Sequence, residues 1–114
     1  SNITECVKFA EEQAKKFGVR APMVGHMGDG NFHVVLPYEP TKKEMYKQIR
    51  AFNDVLIRKA LDLNGTITGE HGVGLHKKEY LLEQHPDNIP VMKSIKRTLD
   101  PNNIMNPGKI FDLN

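Results

Sequence analysis

Apolar residues recur at helical spacing in the first segment. Val7, Ala10, Ala14 and Phe17 share one face, with Glu11, Lys15 and Lys16 outside it, which predicts a helix over Ile3–Phe17. Thr4 is the expected N-cap and Gly18 the expected residue just past the end. The period then changes. Val24 precedes a Gly28-Asp29-Gly30 cluster, and Val34, Val35 and Leu36 follow it, so a β-hairpin is expected before Pro37. Met45, Ile49, Phe52, Leu56 and Leu63 then mark the apolar stripe of a long helix. Thr41-Lys42-Lys43-Glu44 has the form of a capping box at its start, and Gly65 ends it. Thr66, Ile67 and Thr68 predict a short third strand, followed by the glycine-rich run Gly69-Glu70-His71-Gly72-Val73-Gly74. Two more helices are expected, over Leu75–Gln84 before Pro86 and over Ile89–Leu99 before Pro101. The tail from Asn102 onward reads as ordered loop.

The order helix, strand, strand, helix, strand, helices gives an α+β class. It matches a ferredoxin-like split βαβ pattern with an antiparallel sheet and extra C-terminal helices, lacking its first strand. The missing strand marks the chain as part of something larger and leaves a sheet edge and apolar surface uncovered, so a dimer or larger species is expected. At 114 residues the chain is one domain, residues 3–114. Ser1 and Asn2, which open it without methionine, read as an expression remnant. A net charge of +2 is too small for a nucleic-acid or membrane field. The single cysteine, Cys6, forms no internal disulfide and reads as a small core hydrophobe. No apolar run approaches the length of a membrane span. These features point to a cytoplasmic location.

Two segments carry candidate chemistry. In His26-Met27-Gly28-Asp29-Gly30-Asn31-Phe32-His33, a turn of two or four residues puts His26, Asn31 and His33 on one face. Phe32, Val34 and Leu36 then face the core. Paired imidazoles suit zinc, iron, nickel or copper. The plainer reading is a tight hairpin with two surface or hydrogen-bonded histidines. In the glycine-rich run, adjacent Glu70 and His71 point oppositely if the backbone is extended, so one could ligate while the other acts as a base. The plainer reading is a turn with exposed polar residues. The run is neither a dinucleotide fingerprint nor a phosphate-binding loop. His76 and His85, and the Lys93, Lys96 and Arg97 face, read as solvated surface.

Together the His26–His33 segment, the Gly69–Gly74 run and Asn106-Pro107-Gly108-Lys109 resemble the C-terminal domain of FAD-linked oxidases. That family includes glycolate oxidase flavoprotein subunits, D-lactate dehydrogenases and D-2-hydroxyglutarate dehydrogenases. The resemblance runs from about Val7 to Phe111. It implies a cap over a flavin held by a separate, larger FAD-binding domain of the same parent chain. It also implies an FAD-dependent 2-hydroxy acid dehydrogenase that passes a hydride from a small 2-hydroxy acid to FAD. By the same resemblance His26, His33 and Glu70 would ligate a divalent metal (zinc, manganese or iron), and His71 would be the catalytic base. Asn31, Asn106 and Lys109 would lie near the flavin. Any membrane contact would be peripheral, through an electron-acceptor partner, and no nucleic acid is implied. The chain has no FAD-binding region of its own and is expected to be inactive alone. The alternative is a stand-alone ferredoxin-like module that binds a metal or small molecule for regulation.

Overall fold

The computed structural model describes residues 2–113. They fall into two compact units, Ser1–Gly65 and Thr66–Asn114. The class is α+β, with a two-stranded antiparallel sheet and four helices.

The first unit runs α1 (Ile3–Phe17), β1 (Met23–His26), a 3-10 turn (Met27–Asp29), β2 (Asn31–Val34) and α2 (Lys43–Asp62). Its core lies between the helices. Cys6 and Ala10 of α1 are buried with Ile49, Phe52 and Ile57 of α2. Phe52 is fully enclosed and meets Phe17 edge-on, with ring centroids 6.2 Å apart. Burying a ring of that size contributes about 1.5–3 kcal/mol. Burial pushes the Cys6 thiol up, which keeps it a neutral core group as the sequence implied. Lys59 of α2 bonds Glu5 of α1 at 2.6 Å and lies 5.5 Å above the Phe9 ring. The Glu5 hydrogen bond holds the Lys59 ammonium above the usual lysine range.

The helix ends differ from expectation. Asn2, not Thr4, is the N-cap of α1, and its side-chain amide donates to the Leu63 carbonyl at 2.9 Å, past the end of α2. The capping box does not form. Thr41 Oγ1 donates to Glu39 Oε1 at 3.2 Å, and Glu44 pairs with Lys47 at 3.3 Å. A nearer carboxylate outcompetes the helix for the hydroxyl. α2 ends at Asp62, and the left-handed residue past it is Asn64 (φ +57°) rather than Gly65, where a Cβ would lie 2.8 Å from the Ala60 carbonyl oxygen.

The hairpin pairs Met23 with Val34, Val24 with His33, Gly25 with Phe32, and His26 with Asn31. The intervening turn therefore has four residues, 27–30, and Val24, His26, Asn31 and His33 share one face as expected. The other face departs from expectation. Phe32, Val34 and Leu36 are only half-buried, and the core sits in the helix pair instead. Two strands of four residues offer too little surface to organise a core. The hairpin does impose one strict requirement. A Cβ on Gly25 would lie 2.5 Å from Phe32 Cα and 2.6 Å from the Asn31 carbonyl oxygen. Gly25→Ala is expected to cost about 1–3 kcal/mol in urea unfolding, the usual range for forced overpacking. It should also remove the cross-strand NOE between Val24 and His33. An unchanged midpoint with that NOE intact would refute this.

The second unit contains α3 (Lys78–Gln84) and α4 (Ile89–Leu99), with Ile67, Leu81 and Ile89 buried. Residues 66–68 are not a strand, contrary to expectation. Side chains bond Thr66 and Ile67 instead. Gln84 Oε1 accepts from Thr66 Oγ1 at 3.3 Å and from the Ile67 amide at 3.4 Å, and Lys77 Nζ donates to the Ile67 carbonyl at 3.1 Å. Among the described residues only β1 and β2 pair, so this β-prone run has no ladder to join. α3 starts three residues later than expected, because a turn out of Gly74 (φ +54°) occupies residues 74–76. Val91, Ile95 and Leu99, four residues apart along α4, form an exposed apolar stripe. No helix among the described residues is long and apolar enough to cross a membrane.

Candidate functional site

In the first unit the hairpin brings its two imidazoles together. His26 ends β1 and His33 lies diagonally across on β2. Their rings meet edge-on at 88°, centroids 6.0 Å apart. A ring nitrogen of each lies within 4.8 Å of the other. Metal–imidazole bonds are about 2.0–2.1 Å, so small ring rotations bring both nitrogens onto one ion. His26 is exposed and His33 half-buried, so a ligand can approach from one side. Asn31, directly opposite His26, is half-buried on the same face. Neutral imidazoles suit a borderline divalent ion, and an oxygen donor completes such a set. The residues present fit the metal that the family resemblance implies.

In the second unit Glu70 and His71 are exposed in the glycine-rich loop. They do not point oppositely. The backbone at residues 69–71 bends rather than extends, and Glu70 Oε1 lies 3.9 Å from His71 Nε2. That is beyond a hydrogen bond. The loop is tied at its base, where the Lys77 amide donates to the Val73 carbonyl at 3.3 Å. Lys77 is half-buried, and burial holds its ammonium below the usual lysine range. Asn106, with φ +47°, and Lys109 are both exposed on one turn, closed by the Lys109 amide on the Asn106 carbonyl at 3.3 Å.

Sequence reasoning missed the residue that shapes this tail. Asp100 is buried just past α4. It accepts from the Ile104 amide at 2.9 Å, from the Met105 amide at 2.8 Å and from the Lys96 ammonium, which also donates to the Met105 carbonyl. The available signal was an aspartate between a helix end and Pro101, a common turn former. The solvated reading of this basic face is corrected accordingly. Lys96 anchors Asp100, and Arg97 Nη2 donates to the Leu113 carbonyl, because the tail returns past the end of α4. His85 is half-buried next to α3 rather than solvated, whereas His76 is exposed as expected.

The Lys96 ammonium, then the Ile104 amide, hold the Asp100 carboxyl below the usual carboxylate range. A depressed folded-state value means that stability is gained above the unfolded-state value, about pH 4, and lost as pH falls through the folded-state value. Asp100→Asn is therefore expected to lower the melting temperature at pH 7 and to flatten its decline in acid. Parallel acid limbs for the two proteins would count against this.

The family is shown by comparison with known proteins. The model for the C-terminal domain of FAD linked oxidases matches residues 1–110, and the chain belongs to that family of flavin-dependent oxidoreductases. It is 38% identical over 112 residues to a mitochondrial D-lactate dehydrogenase [cytochrome] of Arabidopsis thaliana, covering 97% of this chain and 20% of that protein. It is 42% identical over 113 residues to the glycolate oxidase subunit GlcD of Bacillus subtilis, covering 97% of this chain and 24% of that protein. Against a D-2-hydroxyglutarate dehydrogenase of Stutzerimonas stutzeri it is 42% identical over 90 residues, covering 76% of this chain and 19% of that protein. The chain thus spans about a fifth to a quarter of the length of these relatives.

Proposed function

We propose that residues 3–114 form the C-terminal domain of an FAD-dependent 2-hydroxy acid dehydrogenase of the glycolate or D-lactate type. The family match over residues 1–110 carries this reading, and the paired hairpin imidazoles support it. The match disfavours a stand-alone regulatory module. The partner is an FAD-binding domain of the same parent chain. A cytoplasmic location, with any membrane contact made through an electron acceptor, belongs to the same reading.

In this proposal His26, His33 and Glu70 hold a divalent ion such as zinc, manganese or iron. When bound, that ion would acidify the substrate hydroxyl and FAD would take up the C2 hydrogen with its two electrons, leaving the 2-oxo acid. A ring nitrogen of His71 takes the hydroxyl proton. Asn31, Asn106 and Lys109 orient the flavin through amide and ammonium donors.

The test is a substrate panel on flavin-loaded full-length protein with a dye acceptor: glycolate, both lactate enantiomers and both 2-hydroxyglutarate enantiomers. Dye reduction matched by 2-oxo acid formation is expected with glycolate or a D-acid. If no acid reduces the flavin, while chemically reduced flavin still passes electrons to the dye, the reading is wrong.

A further inference from the structure

The tail contains a conformation that needs an explanation. Ile110 has φ +69°, in the left-handed region that a β-branched residue rarely enters. Such strain persists only where the surroundings over-determine it, and it gathers at functional sites. The surroundings here are specific. The Ile110 amide donates to the Gly74 carbonyl at 2.8 Å, joining the tail to the end of the glycine-rich loop. Two residues to either side, one side chain grips the tail. Lys78 Nζ donates to the Gly108 carbonyl at 3.3 Å and to both carboxylate oxygens of Asp112 at 2.8 Å. Lys78 is the first residue of α3, and its side chain is only 26% exposed. Its neighbour Lys77 holds the loop from the other end through the Ile67 and Val73 carbonyls.

An ordinary surface lysine–aspartate pair contributes almost nothing. This one spans 34 residues of sequence and brackets the strained residue. Building on the assignment of Glu70 and His71 to the catalytic loop, we propose that Lys78 is a positioning residue. It clamps residues 108–112 so that Ile110 stays hydrogen-bonded to Gly74. The loop carrying Glu70 and His71 and the turn carrying Asn106 and Lys109 are thereby held in one frame. Lys78 touches neither substrate nor flavin in this role.

The test uses flavin-loaded full-length protein. Lys78→Met is expected to lower kcat by about 10–100-fold, the scale of a small misplacement of reacting groups. It should also speed hydrogen exchange at the Ile110 amide. Lys78→Arg keeps donors for both acceptors and should restore most of the rate. The discriminating variant is Ile110→Gly in the Lys78→Met background. Glycine adopts the left-handed conformation freely, so the tail no longer needs the clamp and kcat should recover. Unchanged kcat and exchange in Lys78→Met would overturn the proposal. A loss of kcat that follows the melting temperature and is not rescued by Ile110→Gly would overturn it too. If the wild-type protein oxidises no 2-hydroxy acid, the proposed function fails, and Ile110 exchange alone then decides for or against the clamp.

Discussion

Replacing His71 by alanine is expected to lower turnover of the 2-hydroxy acid by about 10²–10⁴-fold, the contribution of a positioned general base. That corresponds to roughly 3–5 kcal/mol of barrier. The folded state should hardly notice. The His71 side chain is 72% exposed in a glycine-flanked loop, so its removal leaves no core cavity. Surface changes of this kind stay within about 0.5 kcal/mol. His76→Ala, an exposed histidine of the same unit, is the matched control and should keep wild-type turnover. Steady-state rates and thermal melting are measured in parallel. If His71→Ala retains near-wild-type turnover, or if its loss merely tracks melting, the base assignment fails. His71 is then a polar residue in a turn.

The second large effect concerns the ion. His33→Ala and Glu70→Ala are each expected to weaken divalent-ion affinity by more than about 100-fold, since altering even an outer-shell partner of a ligand costs 10–100-fold. Excess ion should restore part of the turnover of Glu70→Ala and none of that of His71→Ala. This separates a ligand from a base. Stability gives an independent readout. An ion at 100 times its dissociation constant stabilises the fold by about 2.7 kcal/mol. A chelator should therefore lower the melting temperature of the wild-type protein and leave His33→Ala unmoved. Equal shifts in both would remove His33 from the ligand set.

The parts of the fold that were legible in the sequence are those set by local chemistry. The shared face of His26, Asn31 and His33 followed from alternation with a turn of two or four residues, and the structure fixes the turn at four. The bounds of α1 followed from its apolar stripe and Gly18, and the end of α4 from Pro101. What was not legible depends on distant or competing partners. Residues 66–68 have strand composition, but a strand exists only with a neighbour, and Gln84 and Lys77 took its place. Thr41 and Glu44 had the spacing of a capping box, yet Glu39 and Lys47 were nearer partners. The opposite projection of Glu70 and His71 assumed an extended backbone where the loop bends. Asp100 and Lys78 fell outside every periodic pattern, since their partners are loop amides, a carbonyl and a carboxylate of the tail.

The most direct measurement is a metal titration of chelator-treated, flavin-loaded full-length protein. Bound ion is counted by elemental analysis, and turnover is followed at each addition. Binding of one divalent ion per chain is expected, with turnover returning in proportion, and the His26→Ala/His33→Ala double variant should bind none at that site. Full turnover in metal-free protein, or stoichiometric binding that survives the double substitution, would contradict a site built on the two hairpin histidines.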